Sequence, residues 1–210
     1  MLPALLVLTV AGCNPEGRLA EAAAGGDIEA QYELAIYYSE QEPPQKNKAY
    51  EWMKRAAASR YTPAMKKLAE YYLTGYGTPV NYPRVSEWLT RYYEHDRNSA
   101  DALEVGRKVL IGASSRADAI AGFILFRIAL TIENQNGEGA SELASAAGSE
   151  LLTHAQKFFT WLLAARNYAD AGKVIDFTDR IIKEYPASFP ENAAAVVKKM
   201  RVDYNEHLEK

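Results

Sequence analysis

The sequence has little of the side-chain chemistry on which enzymes and metal sites depend. Its 210 residues include one cysteine and three histidines. A single thiol excludes an internal disulfide framework. His95, His154 and His207 lie far apart, and none has the spacing of two zinc ligands on one helical face. We therefore predict no metal site, no cofactor and no enzymatic activity.

Long apolar runs and an excess of charge of one sign are also missing. No apolar stretch reaches the roughly 18 residues that a membrane-spanning helix needs. The formal net charge is −3 and no long run of like charges occurs, which favours neither nucleic acid binding nor an acidic tail. Gly75 and Gly77 lack the third glycine and the preceding strand of a dinucleotide site. Binding to a protein or a polysaccharide remains as the open class of function.

A motif of small and aromatic residues occurs twice in the first half of the chain. Ala30 and Ala64 are 34 positions apart, and Trp52 and Trp88 are 36 apart. A period of this length indicates stacked helical hairpins, each of which buries its apolar face on a neighbour. The positions expected to pack between the helices are Ala30, Leu34, Tyr38, Trp52, Ala64, Leu68, Tyr72 and Trp88.

The spacing within this motif resembles the Sel1-like repeat, a relative of the tetratricopeptide repeat built from two antiparallel helices. The matching residues are Gly75, Gly77, Asn81, Arg84-Val85 and Trp88, with Lys48-Ala49 and Trp52 in the preceding unit. The resemblance implies an all-α fold, an α-solenoid of stacked antiparallel helical hairpins, over residues 18–133. It also implies that the first helix of each hairpin lines the concave face.

The second half of the chain follows the motif less closely. Asp27 and Ser115 are expected to cap helices, and Ser115 with Asp118 has the pattern of a capping box. Residues 134–148 are rich in Asn and Gly at their start and are predicted as a flexible connection. Residues 149–210 are predicted as a C-terminal helical region similar to tetratricopeptide repeats.

The N-terminus has a separate pattern. Residues 2–10 form an almost unbroken apolar run, which has the length of a signal-peptide core. The run leads through Ala11-Gly12 into Cys13 and resembles the lipobox of bacterial lipoproteins. The resemblance implies a signal peptide over 1–12, acylation of Cys13 by fatty acids such as palmitate, and a lipidated tether over 13–17. Asn14 then implies sorting to the periplasmic face of the outer membrane. The alternative is that Cys13 is a small buried residue in a first helix.

Two tyrosines are candidates for contact with a partner. Tyr37 and Tyr71 each precede a repeat tyrosine by one residue, so they lie about 100° around the helix from it. The repeat does not require an aromatic residue there, and tyrosine is favoured at binding surfaces. The alternative for both is peripheral packing. Lys66, Lys67, Arg91 and Arg97 could add a mildly basic rim, and the default interpretation of these four residues is ordinary solvated surface charge.

Three functional hypotheses follow from these patterns. The first is a membrane-anchored periplasmic scaffold that binds another envelope protein, as in secretion or exopolysaccharide export. The second is an enzyme or inhibitor that acts on peptidoglycan, although the relatives linked to that role are rich in disulfides. The third is direct binding of polysaccharide through exposed tyrosines.

Overall fold

The computed structural model describes residues 15–136 and 141–209. These two ranges form ten α-helices and contain no β-strand. The helices are α1 (Pro15–Ala24), α2 (Ile28–Ser39), α3 (Lys46–Ala58), α4 (Thr62–Thr74), α5 (Tyr82–Tyr93), α6 (Ser99–Gly112), α7 (Arg116–Gln135), α8 (Glu142–Ala164), α9 (Tyr168–Glu184) and α10 (Ala193–Leu208). A short 3-10 helix, Pro186–Ser188, lies between α9 and α10. The predicted all-α solenoid of hairpins is confirmed.

Polar side chains at the N-cap position fix where many of these helices begin. The Asp27 carboxylate accepts a hydrogen bond from the Ala30 amide at 3.0 Å, which satisfies one of the unpaired N–H groups of the first turn. Ser115 and Asp118 form the predicted capping box at the start of α7. The caps of this kind are Asp27, Asn81, Asn98, Ser115, Ser141 and Asn167.

The connection predicted over 134–148 is wrong for much of its length. Helix α7 continues to Gln135, and α8 already begins at Glu142. The Ser141 hydroxyl caps α8 by accepting a hydrogen bond from the Ala144 amide at 3.0 Å. Three alanines between positions 143 and 148 then favour the helical state, which outweighs the Asn and Gly content upstream.

The first five helices pack in chain order, each against the next. Of the eight positions expected to pack, seven are buried, and Trp52 is partly buried against the same core. The α3–α4 contact depends on small residues, since Ala56 and Ala57 are almost completely buried there. Two hairpins, α2–α3 and α4–α5, therefore stack as the repeat predicts.

The stacking order changes after α5. Helix α5 packs against α4 on one side and against α7 on the other, and it makes only marginal contact with α6, the next helix in the chain. Tyr92 and Tyr93 stand four and five residues after Trp88, where Ala56 and Ala57 follow Trp52. Both tyrosines are buried at the positions that small alanines occupy in the preceding unit. This larger pair of side chains accompanies the change of neighbour from the next helix, α6, to α7.

Helices α6 and α7 form the closest antiparallel pair of this second half. Gly106 on α6 lies against the buried ring of Phe126, and a β-carbon at Gly106 would come within 2.9 Å of the ring atom Cδ2. Gly122 on α7 lies against Leu110 in the same way. The absence of two side chains thus lets the two backbones approach.

The remaining helices cover the other side of α7. Helix α8 packs against α7 and α9, and α10 packs against α9 and α8. The 3-10 helix rests on α8 at Gly148, where the backbone of Ser188 occupies the place of a side chain. Helix α7 is therefore the central element of the C-terminal half.

The glycine contact between α6 and α7 can be tested by adding volume. We expect Gly106→Val to lower the free energy of unfolding by about 1–3 kcal/mol, because the new methyl groups meet the fully buried Phe126. Ala100→Val on the exposed face of α6 is the control for the helix propensity of valine. The measurement is urea denaturation followed by circular dichroism. An equal decrease of the unfolding free energy in the two variants would contradict the close approach of α6 and α7 at Gly106.

Candidate partner-binding surface

Tyr71 is a packing residue and does not face solvent, contrary to the hypothesis drawn from the sequence. Its side chain is 4 % exposed, and its ring lies 4.6 Å from the ring of Tyr76. Tyr76 follows the helix-ending Gly75 and donates a hydrogen bond from its hydroxyl to the carbonyl of Ser39 at 3.3 Å. Because that contact holds Tyr76 over Tyr71, the turn covers the face on which Tyr71 was expected to be open.

The Tyr71 hydroxyl is buried as well. It has no hydrogen bond of normal geometry within the described residues. Burial raises the pKa of the Tyr71 phenol to about 12. A buried hydroxyl without a good partner does not contribute to stability and marks a position where phenylalanine would serve equally well.

The side chain of Tyr37 remains partly exposed to solvent. It is half-buried, and its ring contacts the ring of Tyr38 edge-on at 5.8 Å. Its role as a partner contact stays a prediction. Tyr37 and Tyr71 therefore do not form the pair of exposed aromatic residues that the sequence suggested.

The four cations considered for a basic rim are each engaged within the molecule. Three of them pair with carboxylates: Lys66 with Asp101, Lys67 with Glu70, and Arg91 with Glu87. Arg97 donates a hydrogen bond to the side chain of Gln135. The three exposed ion pairs add little to stability, but they cancel the positive charge locally. Arg97 keeps its charge, because its partner is a neutral amide. The four residues therefore do not form a basic rim, and the alternative of ordinary surface charge fits them better.

Sequence reasoning missed a contact that recurs in both repeats. The guanidinium of Arg55 lies over the Trp52 ring at 4.4 Å, and that of Arg91 lies over the Trp88 ring at 4.7 Å. In each unit the arginine follows the tryptophan by three residues, which places both on one helical face. The signal was present in the sequence as an arginine at the same offset in each unit.

Glu133 is a buried carboxylate with a structural role. It is 4 % exposed and accepts hydrogen bonds from the hydroxyls of Ser99 and Ser141, the second at 2.5 Å. Ser99 opens α6 and Ser141 caps α8, so Glu133 near the end of α7 joins three helices. Both of its oxygens are thus engaged, as a buried carboxylate requires.

An open apolar surface lies elsewhere, between α7, α8 and α9, with the C-terminal end of α6 at its edge. Two cavities of about 470 Å³ and 200 Å³ meet there and share Phe123 and Phe158 in their walls. We call this surface the α7–α9 groove and define it by Ile111, Ile120, Phe123, Phe158, Trp161 and Phe177. Ile111 is 81 % exposed, Trp161 53 % and Ile120 41 %.

The aromatic rings of the groove form a continuous row. The centroid of Phe123 lies 5.7 Å from that of Phe177 and 6.3 Å from that of Phe158. Phe158 in turn stacks on Trp161 at 5.6 Å, with 13° between the ring planes. This row runs from the buried floor at Phe123 to the solvent-exposed indole of Trp161, so an apolar side chain can pack against rings that are already in place.

The charges at the edge of the groove are mostly positive. Arg116 and Lys173 both approach the same carboxylate oxygen of Asp170, at 2.9 Å and 3.4 Å. Lys157 lines the groove and has no ion-pair partner in the described parts of the chain. Burial, together with the charge of Lys157, lowers the pKa of His154, so this histidine is neutral at pH 7. The carboxylate of Asp118, which accepts hydrogen bonds from Ser114 and Ser115 at the edge of the larger cavity, is a second negative charge here. Three cations therefore face two carboxylates, and the net charge at this edge is positive.

The described ranges contain neither a candidate metal site nor a candidate membrane-spanning helix. Within residues 15–136 and 141–209, no group of three His, Cys, Asp or Glu residues could hold a metal ion. The helices of these ranges also lack the combination of length and apolar character that membrane crossing requires. Cys13 lies outside the described residues.

The packing role of Tyr71 can be tested against its neighbour. The Tyr72 hydroxyl shares a 2.9 Å hydrogen bond with that of Tyr50, which joins α4 to α3. We expect Tyr72→Phe to lower the free energy of unfolding by about 1 kcal/mol and Tyr71→Phe to leave it unchanged or raised. Urea denaturation of both variants provides the comparison. A loss in Tyr71→Phe as large as that in Tyr72→Phe would show that the Tyr71 hydroxyl is bonded.

The comparison with known families concerns the first half of the chain. The family model described as the Sel1 repeat matches residues 28–61 and 62–84. No curated protein matches the chain. The first segment covers α2 and α3, and the second covers α4 and the first turn of α5, so α6–α10 and the α7–α9 groove lie outside the match. Residues 28–84 therefore carry two Sel1 repeats, a type of helical hairpin that generally mediates protein–protein interaction and is typically non-catalytic.

Proposed function

We propose that this protein is a non-enzymatic adaptor that binds a protein partner in a bacterial envelope complex of the secretion or exopolysaccharide-export type. The observation that carries the proposal is the pair of Sel1 repeats over 28–84, since repeats of this kind generally bind proteins. The stacked helices form a rigid support for such a contact. The buried carboxylate of Glu133 is engaged in holding helices together.

The proposed location is the periplasmic face of the outer membrane, with the chain anchored by lipid on Cys13. Support for this part comes from the sequence pattern alone: the apolar run over 2–10, the small residues Ala11-Gly12 and the single cysteine. Helix α1 begins at Pro15, so a lipid on Cys13 would hold the stack close to the membrane surface.

Binding of polysaccharide or peptidoglycan is the alternative function from the sequence. The polysaccharide hypothesis depended on exposed tyrosines, with Tyr37 and Tyr71 as the candidates, and the burial of Tyr71 removes one of the two. The peptidoglycan hypothesis, which includes an enzyme, rested on the resemblance to Sel1-like relatives. We therefore retain it as an outcome of the partner experiment below.

The lipid anchor is tested by two substitutions at neighbouring positions. We expect Cys13→Ser to abolish labelling by radioactive palmitate and to release the protein from the membrane fraction, because the acylated thiol is lost. Asn14→Asp should keep the label but move the protein to the inner membrane, since aspartate at this position resembles the retention signal of bacterial lipoproteins. The measurement is palmitate labelling with separation of the two membranes on a sucrose gradient. Unchanged fractionation of Cys13→Ser would contradict the anchor.

The adaptor function is tested by cross-linking in intact cells. The tagged full chain is treated with a lysine-reactive reagent, and the cross-linked species are identified by mass spectrometry. We expect one envelope protein at a fixed ratio to the chain. The same tag on Cys13→Ser is the control, because a chain released from the membrane should lose a membrane-bound partner. Recovery of muropeptide fragments, whose free amines the reagent also captures, without a protein would support the alternative and overturn the adaptor.

A further inference from the structure

We propose that the α7–α9 groove binds a short acidic segment of the protein partner, in which carboxylates flank one or more large apolar side chains. This inference rests on the proposed adaptor function and specifies which surface is used and what chemistry the partner presents. The groove lies outside the segments matched by the Sel1 repeat, so the repeat itself does not account for its exposed residues.

The first argument is the apolar surface that the groove leaves in water. Ile111, Ile120 and Trp161 come from three different helices, yet they converge on one surface. Exposed apolar residues are ordinary when they are scattered, as Val80 is in the turn before α5. A contiguous exposed patch with a preformed aromatic row is instead typical of an interaction site.

The second argument is the charge around that patch. Arg116 and Lys173 share the single carboxylate of Asp170, and Lys157 adds a further positive charge that is not paired within the described residues. His154 remains neutral and does not change this balance. A bound carboxylate near Lys157 would compensate the excess, whereas a basic segment would be repelled. The charge of the rim thus selects an acidic occupant over a neutral or basic one.

The third argument is the shape of the site. The cavity of about 470 Å³ at Trp161 and the cavity of about 200 Å³ at Phe177 are joined along Phe123 and Phe158. Each can take an apolar side chain, so a segment lying along the ring row would place two anchors into the groove. The stacked Phe158 and Trp161 rings form the outer wall of the larger cavity.

The probe for this proposal is a phage library of random dodecapeptides selected on the full-length chain. Phages that also bind the Trp161→Ala variant are removed in each round. We expect the surviving peptides to contain Trp, Phe or Leu together with Asp or Glu. Enrichment of basic or uncharged peptides would overturn the charge argument, and the absence of any peptide that depends on Trp161 would overturn the site.

Synthetic versions of the selected peptides then test individual residues. Trp161→Ala should weaken peptide binding at least about tenfold, because a large exposed anchor is removed. Lys157→Glu should weaken it roughly three- to tenfold at low salt and less at high salt. Lys199→Glu on α10 is the matched control, since it reverses an exposed lysine outside the groove. Equal effects of the two lysine variants would contradict a specific carboxylate contact.

The three tryptophans provide an internal control for the binding site. In chain labelled with 5-fluorotryptophan, peptide should shift the fluorine resonance of Trp161 and leave those of Trp52 and Trp88 unchanged, because the latter two belong to the repeat core. Shifts at Trp52 or Trp88 alone would place the peptide on the repeats instead. Thermal melts of each variant show whether the fold is retained.

Sedimentation velocity and the cross-linking experiment distinguish the failure of this proposal from that of the adaptor function. If the wild-type chain is a dimer and Trp161→Ala a monomer, a second copy occupies the groove and the acidic-segment proposal is overturned. If Trp161→Ala keeps the cross-linked envelope protein, the adaptor function stands and the groove is not its contact. If the cross-link to that envelope protein is lost in Trp161→Ala but kept in Lys199→Glu, the result supports both the adaptor function and the groove as its contact.

Discussion

The packing of α5 against α7 is the contact on which both halves of the molecule depend. A helical hairpin cannot bury its apolar face alone, so each unit must pack that face against a neighbour. In the first half this occurs in chain order, through alanines such as Ala56 and Ala57. At α5 the corresponding positions are Tyr92 and Tyr93, and the neighbour becomes α7. Helix α7 can accept this contact because it is apolar on several faces, with Leu125, Phe126 and Leu130 completely buried.

Much of the fold was predictable because it depends on local chemistry. The bounds of α2 and the capping box at Ser115 follow from side chains within a few residues of each helix end. The start of α8 within 134–148 was not predicted, because it depends on a single capping serine, Ser141, and on the alanines after it, whereas the Asn and Gly residues before it are typical of a connection.

The candidate site was less predictable, since its residues are brought together by tertiary contacts. Tyr71 is buried by Tyr76, which is held by a carbonyl on another helix. The positive charge of Lys66 is cancelled by Asp101, 35 positions further along the chain. The α7–α9 groove combines residues from Ile111 to Phe177, and no periodicity of one helix could place them side by side. The sequence pattern predicted which residues pack between the helices. It did not predict which surface of the stacked helices stays exposed.

The change of neighbour at α5 has a consequence for how such a protein can evolve. Because α7 already occupies the free face of α5, an internal duplication cannot add a hairpin after α5 without displacing the C-terminal half. A new unit could enter between α3 and α4, where the facing surfaces are lined by small residues such as Ala57 and Ala64. An insertion there would change the distance from α1 to the groove while leaving the groove itself intact. The number of repeats would then set the distance between the N-terminal helix and the groove.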